Sequence, residues 1–250
     1  MLTRGTSIKR WNNFPRVEYI SHLDNVGFTI HIALFLAYLE EKEGKKKIDK
    51  VFLIKKIIFD SFKGLILADI NAGTRDYIQK FDKEIFSKVE EKGLEKIFSL
   101  DAPAYILEDL KSTILDSSNR IENTLIAAAK KYAGFLEAKT NHTVYDDVYE
   151  LPLKQIKDSL KKLRGKLTSL DILLSEKSYK KYLTHVRRLS HSMRWSGESK
   201  LLPISVMAHL VEVTFISYII ASIENHEGNK VNTLELLLRS IYHDIPEAIT

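Results

Sequence analysis

The chain has 250 residues, of which 44% are hydrophobic, and it carries a formal net charge of +5. This length supports one or two hydrophobic cores, and the absence of cysteine excludes both a disulfide framework and thiolate metal ligands. The N-terminus lacks the apolar segment of a signal peptide, and the most apolar run, residues 28–39, is shorter than the roughly twenty residues that span a bilayer. We therefore predict a cytoplasmic protein with no membrane partner.

Apolar residues recur at spacings of three and four along most of the chain, and only ten glycines and five prolines interrupt them. This periodicity predicts an all-α protein. Asp101 and the run 116–119 are predicted to cap helices, residues 140–152 to form a loop, and residues 153–177 to form a basic connector helix. The predicted helices span residues 16–42, 48–68, 74–97, 103–117, 119–139, 152–175, 177–190, 201–226 and 232–248.

The segment that begins at Arg194 is similar to the segment that begins at Arg10. Aligned without a gap, residues 10–66 and 194–250 are identical at 13 of 57 positions. We call the distance in sequence from Arg10 to Arg194 the repeat offset; similarity at one fixed offset indicates an internal duplication. We predict a complete first unit, residues 1–177, and a second unit, residues 178–250, that is an incomplete copy holding only the N-terminal part of the domain.

The second unit carries a group of residues suited to metal chemistry. His243 and Asp244 end an apolar helical run, and His209 lies on the preceding predicted helix. Two imidazoles and a carboxylate on facing helices can bind a divalent ion at about 2.0–2.2 Å. Glu247 follows His243 by four residues, so we predict that it shares the same helix face and handles protons.

Two residues at the start of the second unit are suited to a phosphorylated ligand. The planar guanidinium of Arg194 matches phosphate oxygens, and the indole of Trp195 can form the wall of a pocket for a sugar or a base. Both His209 and Trp195 also have a simpler interpretation as core residues. The repeat offset and the regular motif spacing favour a functional role for His209.

The order Arg-Trp, then a helical histidine fourteen residues later, then His-Asp-x-x-Glu resembles the HD-domain metal-dependent phosphohydrolases. The resemblance is strongest to the bacterial 5′-deoxynucleotidase branch, and it implies an HD-domain-like helical bundle with a bound Mn, Co, Zn, Mg or Ni ion. It also implies metal ligands His209, His243 and Asp244, catalytic residues Asp244 and Glu247, and substrate contacts Arg194 and Trp195.

The resemblance also predicts how the two units differ. The later aspartate ligand of the family has no counterpart before residue 250, so we expect this form of the chain to be less active than a longer one. In the first unit, Asp60 is retained, and we predict that this unit binds no metal. The other positions of the motif are changed there to Asn25, Phe59, Lys63 and Lys130.

The favoured function is a metal-dependent phosphohydrolase that acts on a nucleotide or another small phosphoester, with deoxynucleoside 5′-monophosphates as candidate substrates. A homodimer is a further expectation. Two alternatives stay open: a non-catalytic helical scaffold or nucleotide sensor, and a basic helical protein that binds nucleic acid. The last is less favoured, because the lysines and arginines alternate with apolar residues as on any solvated amphipathic helix.

Overall fold

A computed structural model of the chain describes residues 2–67, 70, 72–194 and 203–248. Within these ranges it contains eleven α-helices, two 3-10 turns and no strand, which confirms the predicted all-α class. The 3-10 turns are Leu2–Thr6 and Ile245–Ala248. The helices are α1 (His22–Lys42), α2 (Lys50–Ile66), α3 (Ala72–Phe81), α4 (Lys83–Phe98), α5 (Ala104–Leu115), α6 (Ile121–His142), α7 (Asp146–Lys161), α8 (Thr168–Ser175), α9 (Lys177–Arg188), α10 (Val206–His226) and α11 (Thr233–Tyr242).

Helix α1 is the central element of the core. It begins with a capping box, in which the Ser21 side chain accepts from the Asp24 amide and the Asp24 carboxylate accepts from the Ser21 amide. The helix is apolar on nearly all sides, and Leu23, Ile30 and Leu36 are fully buried. A helix with this pattern must be covered all round. Helices α2, α6, α8, α9 and α10 supply that cover.

The local structure at the start of α1 occurs a second time at the start of α10. Isolated β-bridges join Lys9 to Ser21 and Met193 to Ser205, so both partners of the second bridge follow those of the first at the repeat offset. Ser205 caps α10 by accepting from the Ala208 amide, and α10 has the same length as α1, 21 residues. The loop before the following helix differs, because it is one residue shorter in the second unit, where α11 is capped by Asn232.

Helices α1 and α10 pack directly against each other near these two N-termini. The hydroxyl of Ser205 donates to the Asp24 carboxylate. A Cβ atom at Gly27 would lie 2.7 Å from Met207 Sδ and 2.9 Å from Val211 Cγ2. Glycine at this position therefore allows a close helix crossing that a larger residue would prevent.

Helix α6 covers α1 and α2 and is itself covered by α7. Below α7 lies a small second cluster, in which Tyr149 and Leu153 pack against Trp11 and Phe14. The Trp11 and Tyr149 rings are 5.2 Å apart, and the Tyr149 hydroxyl donates to the Pro15 carbonyl. The N-terminal segment is thereby fixed against the end of α6.

Several predicted helix boundaries are wrong. The helices predicted at 16–42 and 201–226 begin only at His22 and Val206, where Ser21 and Ser205 cap them. The helix predicted at 74–97 is interrupted at Asp82, whose carboxylate caps α4 by accepting from two amides. The loop predicted at 140–152 contains the start of α7, because an acidic first turn stabilises that helix and burial of Tyr149 offsets the cost of Pro152 inside it. The connector helix predicted at 153–177 breaks after Lys161, and Gly165 there has a φ of 75°.

The predicted caps and the last predicted helix also need correction. The N-cap residues of α5 and α6 are Pro103 and Arg120, and neither makes a side-chain cap hydrogen bond, so Asp101 and the run 116–119 do not cap these helices. The helix predicted at 232–248 ends at Tyr242. Pro246 has no N–H to donate to the Tyr242 carbonyl, which accounts for the end of the helix and the 3-10 turn that follows.

Among the described helices, α1 and α10 are long and apolar enough to cross a membrane by length and composition alone. Their most apolar 18-residue windows have mean hydropathies of 1.2 and 1.8, and the predicted apolar run 28–39 lies within α1. Within the protein, 78% of the apolar window of α1 and 50% of that of α10 are buried. Core helices of soluble proteins pass the same test, so this is weak evidence for a membrane span.

Candidate functional site

The candidate site is formed by the first turn of α10 and by the turn that follows α11. His209 lies one turn after the Ser205 cap, on the half-buried side of α10. His243 is the C-cap residue of α11, and Asp244 follows it. Because α10 and α11 pack side by side, the helix start and the helix end bring the three side chains together.

The three side chains have the spacing of a metal-ligand set. One ligand atom from each of His209, His243 and Asp244 lies within 4.8 Å of the other two. His243 Nε2 is 3.2 Å and His209 Nε2 is 3.8 Å from Asp244 Oδ2, and the two imidazole rings are 5.5 Å apart. Burial, and next the Arg194 guanidinium, lower the pKa of His209. The predicted convergence of these residues is therefore observed.

A backbone carbonyl on the side of the ring away from Asp244 fixes the orientation of His243. Its Nδ1 is 2.8 Å from the Ser240 carbonyl, an acceptor, so Nδ1 carries the proton and donates it. In the neutral imidazole, Nε2 then presents a lone pair toward Asp244. Backbone contacts of this type commonly orient histidines that bind metals. Two acceptor atoms, Nε2 of His243 and Oδ2 of Asp244, face each other at 3.2 Å and would be bridged well by a cation.

Arg194 and Glu247 complete the described part of the site. The Arg194 guanidinium Nη1 is 2.8 Å from Asp244 Oδ2 and 3.7 Å from Glu247 Oε1. Glu247 does not share a helix face with His243, because α11 ends at Tyr242 and Glu247 belongs to the 3-10 turn. Its amide donates to the Asp244 carbonyl, and this turn still brings its carboxylate to the edge of the cluster. Trp195 lies outside the described residues.

The corresponding positions of the first unit hold a different set of contacts. Asp60 pairs with two lysines: Lys130 Nζ is 2.9 Å from Oδ2, and Lys56 Nζ is 3.1 Å from Oδ1. Phe59 is buried in the core and offers no lone pair. Lys63 pairs at 3.4 Å with Glu90, outside this cluster. Asn25, at the position of His209, donates to another carboxylate at 2.8 Å.

That carboxylate belongs to Glu137, which the sequence reasoning missed. Glu137 follows Lys130 on α6 by seven residues, or about two helical turns, so the two share one face of the helix. Once Lys130 had been assigned to the motif, the seven-residue spacing could have indicated that Glu137 lies on the same side of α6. Lys56 was also missed, although its position four residues before Asp60 is typical of a helical ion pair.

Comparison with known proteins places the chain in a family. The family of YfbR-like 5′-deoxynucleotidases matches residues 1–177 and 181–250. Among solved structures, a crystal structure of an HD-domain phosphohydrolase from Listeria innocua is similar with a TM-score of 0.56 and 16% identity. That similarity covers 76% of this chain and 94% of the Listeria chain, and it identifies the HD fold. No curated protein matched the chain. Because the family match spans nearly all of the sequence, the chain belongs to the YfbR-like 5′-deoxynucleotidase family.

Proposed function

We propose that the chain is a metal-dependent phosphohydrolase that acts on a nucleotide, with deoxynucleoside 5′-monophosphates as the substrate class. The observation that carries this proposal is the convergence of His209, His243 and Asp244 within 4.8 Å. The 5′-deoxynucleotidase family to which the chain belongs supplies the substrate class.

The residues present fit a divalent ion. Two imidazole nitrogens and one carboxylate oxygen suit Zn, Mn, Co or Ni. The hydrogen bond from His243 Nδ1 to the Ser240 carbonyl supports this assignment, because it leaves the lone pair of Nε2 available to bind the ion. A divalent ion held by His209, His243 and Asp244 would polarise a phosphoester and activate water near neutral pH. The identity of the ion is left open by this donor set.

Arg194 is proposed to bind the substrate phosphate. Its guanidinium is paired with Asp244 and lies near Glu247, so it already stands at the edge of the ligand cluster. A planar guanidinium can transfer from a carboxylate to a phosphate with little reorganisation, because both offer two oxygens to its fork. Trp195, the next residue, is proposed to line the sugar pocket on the basis of the family resemblance alone.

Glu247 and Asp244 are proposed to handle protons. The side chain of Glu247 is 46% exposed, so it can exchange protons with solvent, while that of Asp244 is only 15% exposed. A carboxylate at the open edge of a site is suited to protonate a leaving alcohol oxygen. Arg194 would stabilise the negative charge that develops on the phosphate during this step.

We also propose that residues 1–177 are a complete domain without a metal site and that residues 178–250 are the N-terminal part of a second copy of this domain. Support comes from the two β-bridges related by the repeat offset and from the equal lengths of α1 and α10. The family match to two stretches, residues 1–177 and 181–250, has a boundary close to the proposed one.

The test is phosphate release from deoxynucleoside 5′-monophosphates with Mn²⁺, Co²⁺ or Zn²⁺. We expect activity only with added ion, and a loss of about 100-fold or more in His243→Ala. His226→Ala is the matched control, because this exposed histidine at the end of α10 stacks on Tyr105 outside the cluster. Release that survives loss of His243 would place the active site elsewhere. Nucleotide binding without release would instead support the nucleotide sensor.

A further inference from the structure

The carboxylate of Glu137 lies in a cradle of three donor side chains in the first unit. Arg10 Nε is 3.0 Å and 2.9 Å from its two oxygens, Trp11 Nε1 donates at 2.7 Å, and Asn25 Nδ2 donates at 2.8 Å. The side chain of Glu137 is only 5% exposed. Hydrogen bonds of this charge-assisted kind are the strong ones in proteins. The cradle is thus built to hold an anion.

Two of the three donors of this cradle match the proposed substrate contacts of the second unit, and the third, Asn25, stands at the position of His209. Arg10 and Trp11 are the counterparts of Arg194 and Trp195 at the repeat offset. We infer that Glu137 is an internal anion that occupies, in the first unit, the place that a substrate phosphate would take, and so closes this unit to phosphomonoesters. The inference rests on the proposed role of Arg194 and on the proposed duplication.

A side chain of the protein likewise takes the place of the metal ion in the first unit. Lys130 Nζ lies 2.9 Å from Asp60, the counterpart of Asp244, so an ammonium group stands beside the carboxylate that would otherwise bind a metal. Lys130 and Glu137 project from the same face of α6. Helix α6 therefore supplies a positive charge that pairs with Asp60 and a negative charge that pairs with Arg10. The first unit needs neither a metal ion nor a phosphate to neutralise these two residues.

The backbone of Trp11 gives a second indication that the cradle is a retained binding site. Trp11 has a φ of 54°, in the left-handed region that bulky residues rarely adopt. Strained residues of this kind cluster at ligand sites, where the surrounding contacts hold them. The indole N–H of this residue donates to Glu137. A simple ion pair between Arg10 and Glu137 would not require it.

The experiment removes the negative charge of Glu137 and offers inorganic phosphate as a competing anion. Trp11 and Trp195 are the two tryptophans of the chain, so Arg194→Ala with Trp195→Phe both disables the second unit and leaves Trp11 as the sole fluorescent reporter. In this background we expect Glu137→Gln to show a saturable change in Trp11 fluorescence and a higher Tm with phosphate. The apparent affinity should be at least about tenfold tighter than in the background protein, in which a tethered carboxylate competes.

Glu122→Gln is the matched control. Glu122 is a second buried acid on α6, and it pairs with Arg120 at 2.9 Å, away from the cradle. We expect this variant to bind phosphate no more tightly than the background protein does. Addition of Arg10→Ala to the Glu137→Gln protein should abolish the response. A folded Glu137→Gln protein that ignores phosphate, or a response that survives Arg10→Ala, would overturn the inference.

Failure to fold would not leave the question open. If Glu137→Gln folds only when phosphate is present, the inference is supported directly. If it does not fold at all, Glu137→Asp is measured in its place, because the shorter carboxylate withdraws from the donors. A weaker saturable response then supports the inference, and no response overturns it. None of these readouts requires turnover, so an inactive second unit would defeat the proposed function without deciding this result.

Discussion

His31 is a fully buried histidine in α1 whose two ring nitrogens have no hydrogen-bond partner in the described part of the chain. Its ring packs against Tyr242, 5.4 Å away, and burial lowers its pKa from 6.5 to about 3. The folded protein therefore keeps His31 neutral under conditions in which the unfolded chain binds a proton. In the proposed duplication, the counterpart of His31 at the repeat offset is Phe215.

We predict that His31→Phe makes the free energy of unfolding less dependent on pH. Below pH 6.5 the unfolded wild-type chain takes up a proton that the folded chain excludes, so stability falls as the pH is lowered and levels off near pH 3. The loss attributable to His31 is about 2 kcal/mol at pH 5. Between pH 8 and pH 5, urea unfolding should show a fall in stability that is about 2 kcal/mol smaller in the variant than in wild type, because His22, whose pKa is also lowered, titrates in both proteins. An unchanged pH dependence would contradict the prediction.

Some residues of the site were predictable from the sequence, and others were not. The motif and its spacing led to His209, His243 and Asp244, because sequence similarity at one fixed offset pairs the predicted helices of the two segments. Glu137 could not be assigned a partner in this way, since its contacts with Arg10 and Trp11 depend on how the N-terminal segment lies against α6. The pairing of Arg194 with Asp244 was equally hidden, because a sequence does not show which anion a guanidinium meets.

At the scale of elements, the crossing of α1 and α10 depends on Gly27. We predict that Gly27→Ala lowers the free energy of unfolding by about 1 kcal/mol, because overpacking against Met207 and Val211 outweighs the gain in helix propensity. Gly134→Ala on α6 is the matched control, since its new Cβ would lie 4.0 Å from the nearest atom, Ile156 Cδ1. The control should raise stability by about 0.5–1 kcal/mol. Equal effects in thermal unfolding would contradict a tight crossing.

Helix positions were predicted better than helix ends. Long apolar runs such as α1 and α10 were identified because they extend over five turns or more, whereas single residues decide where a helix stops. Asp82 interrupts one predicted helix by capping the next, and Gly165 allows a turn inside the predicted connector. Pro152 led to a predicted loop where the structure has a helix, since tertiary packing of Tyr149 keeps α7 helical around the proline.

At the scale of the molecule, the two units differ in how the charge of the motif aspartate is neutralised. In the first unit, the negative charge of Asp60 is neutralised within the protein by ion pairs with Lys130 and Lys56. In the second unit the carboxylate of Asp244 faces two imidazoles and is paired with a single guanidinium, that of Arg194, among the described residues. The second unit is therefore the one that gains most from an added cation.

We predict that the chain binds about one divalent ion rather than two, because an ammonium beside Asp60 would repel a divalent ion by several kcal/mol at intermediate dielectric. Metal analysis after dialysis against Mn²⁺ or Zn²⁺ should give this ratio, with almost no ion in His209→Ala and an unchanged ratio in Asp60→Asn. The ion should also stabilise the fold, by about 2.7 kcal/mol at a free concentration of a hundred times Kd, and this gain should vanish in His209→Ala. Two ions per chain would contradict the prediction, and an ion retained without His209 would be bound either in the first unit or by the remaining ligands His243 and Asp244. The Asp60→Asn control separates these cases, since only an ion bound in the first unit would be lost with that carboxylate.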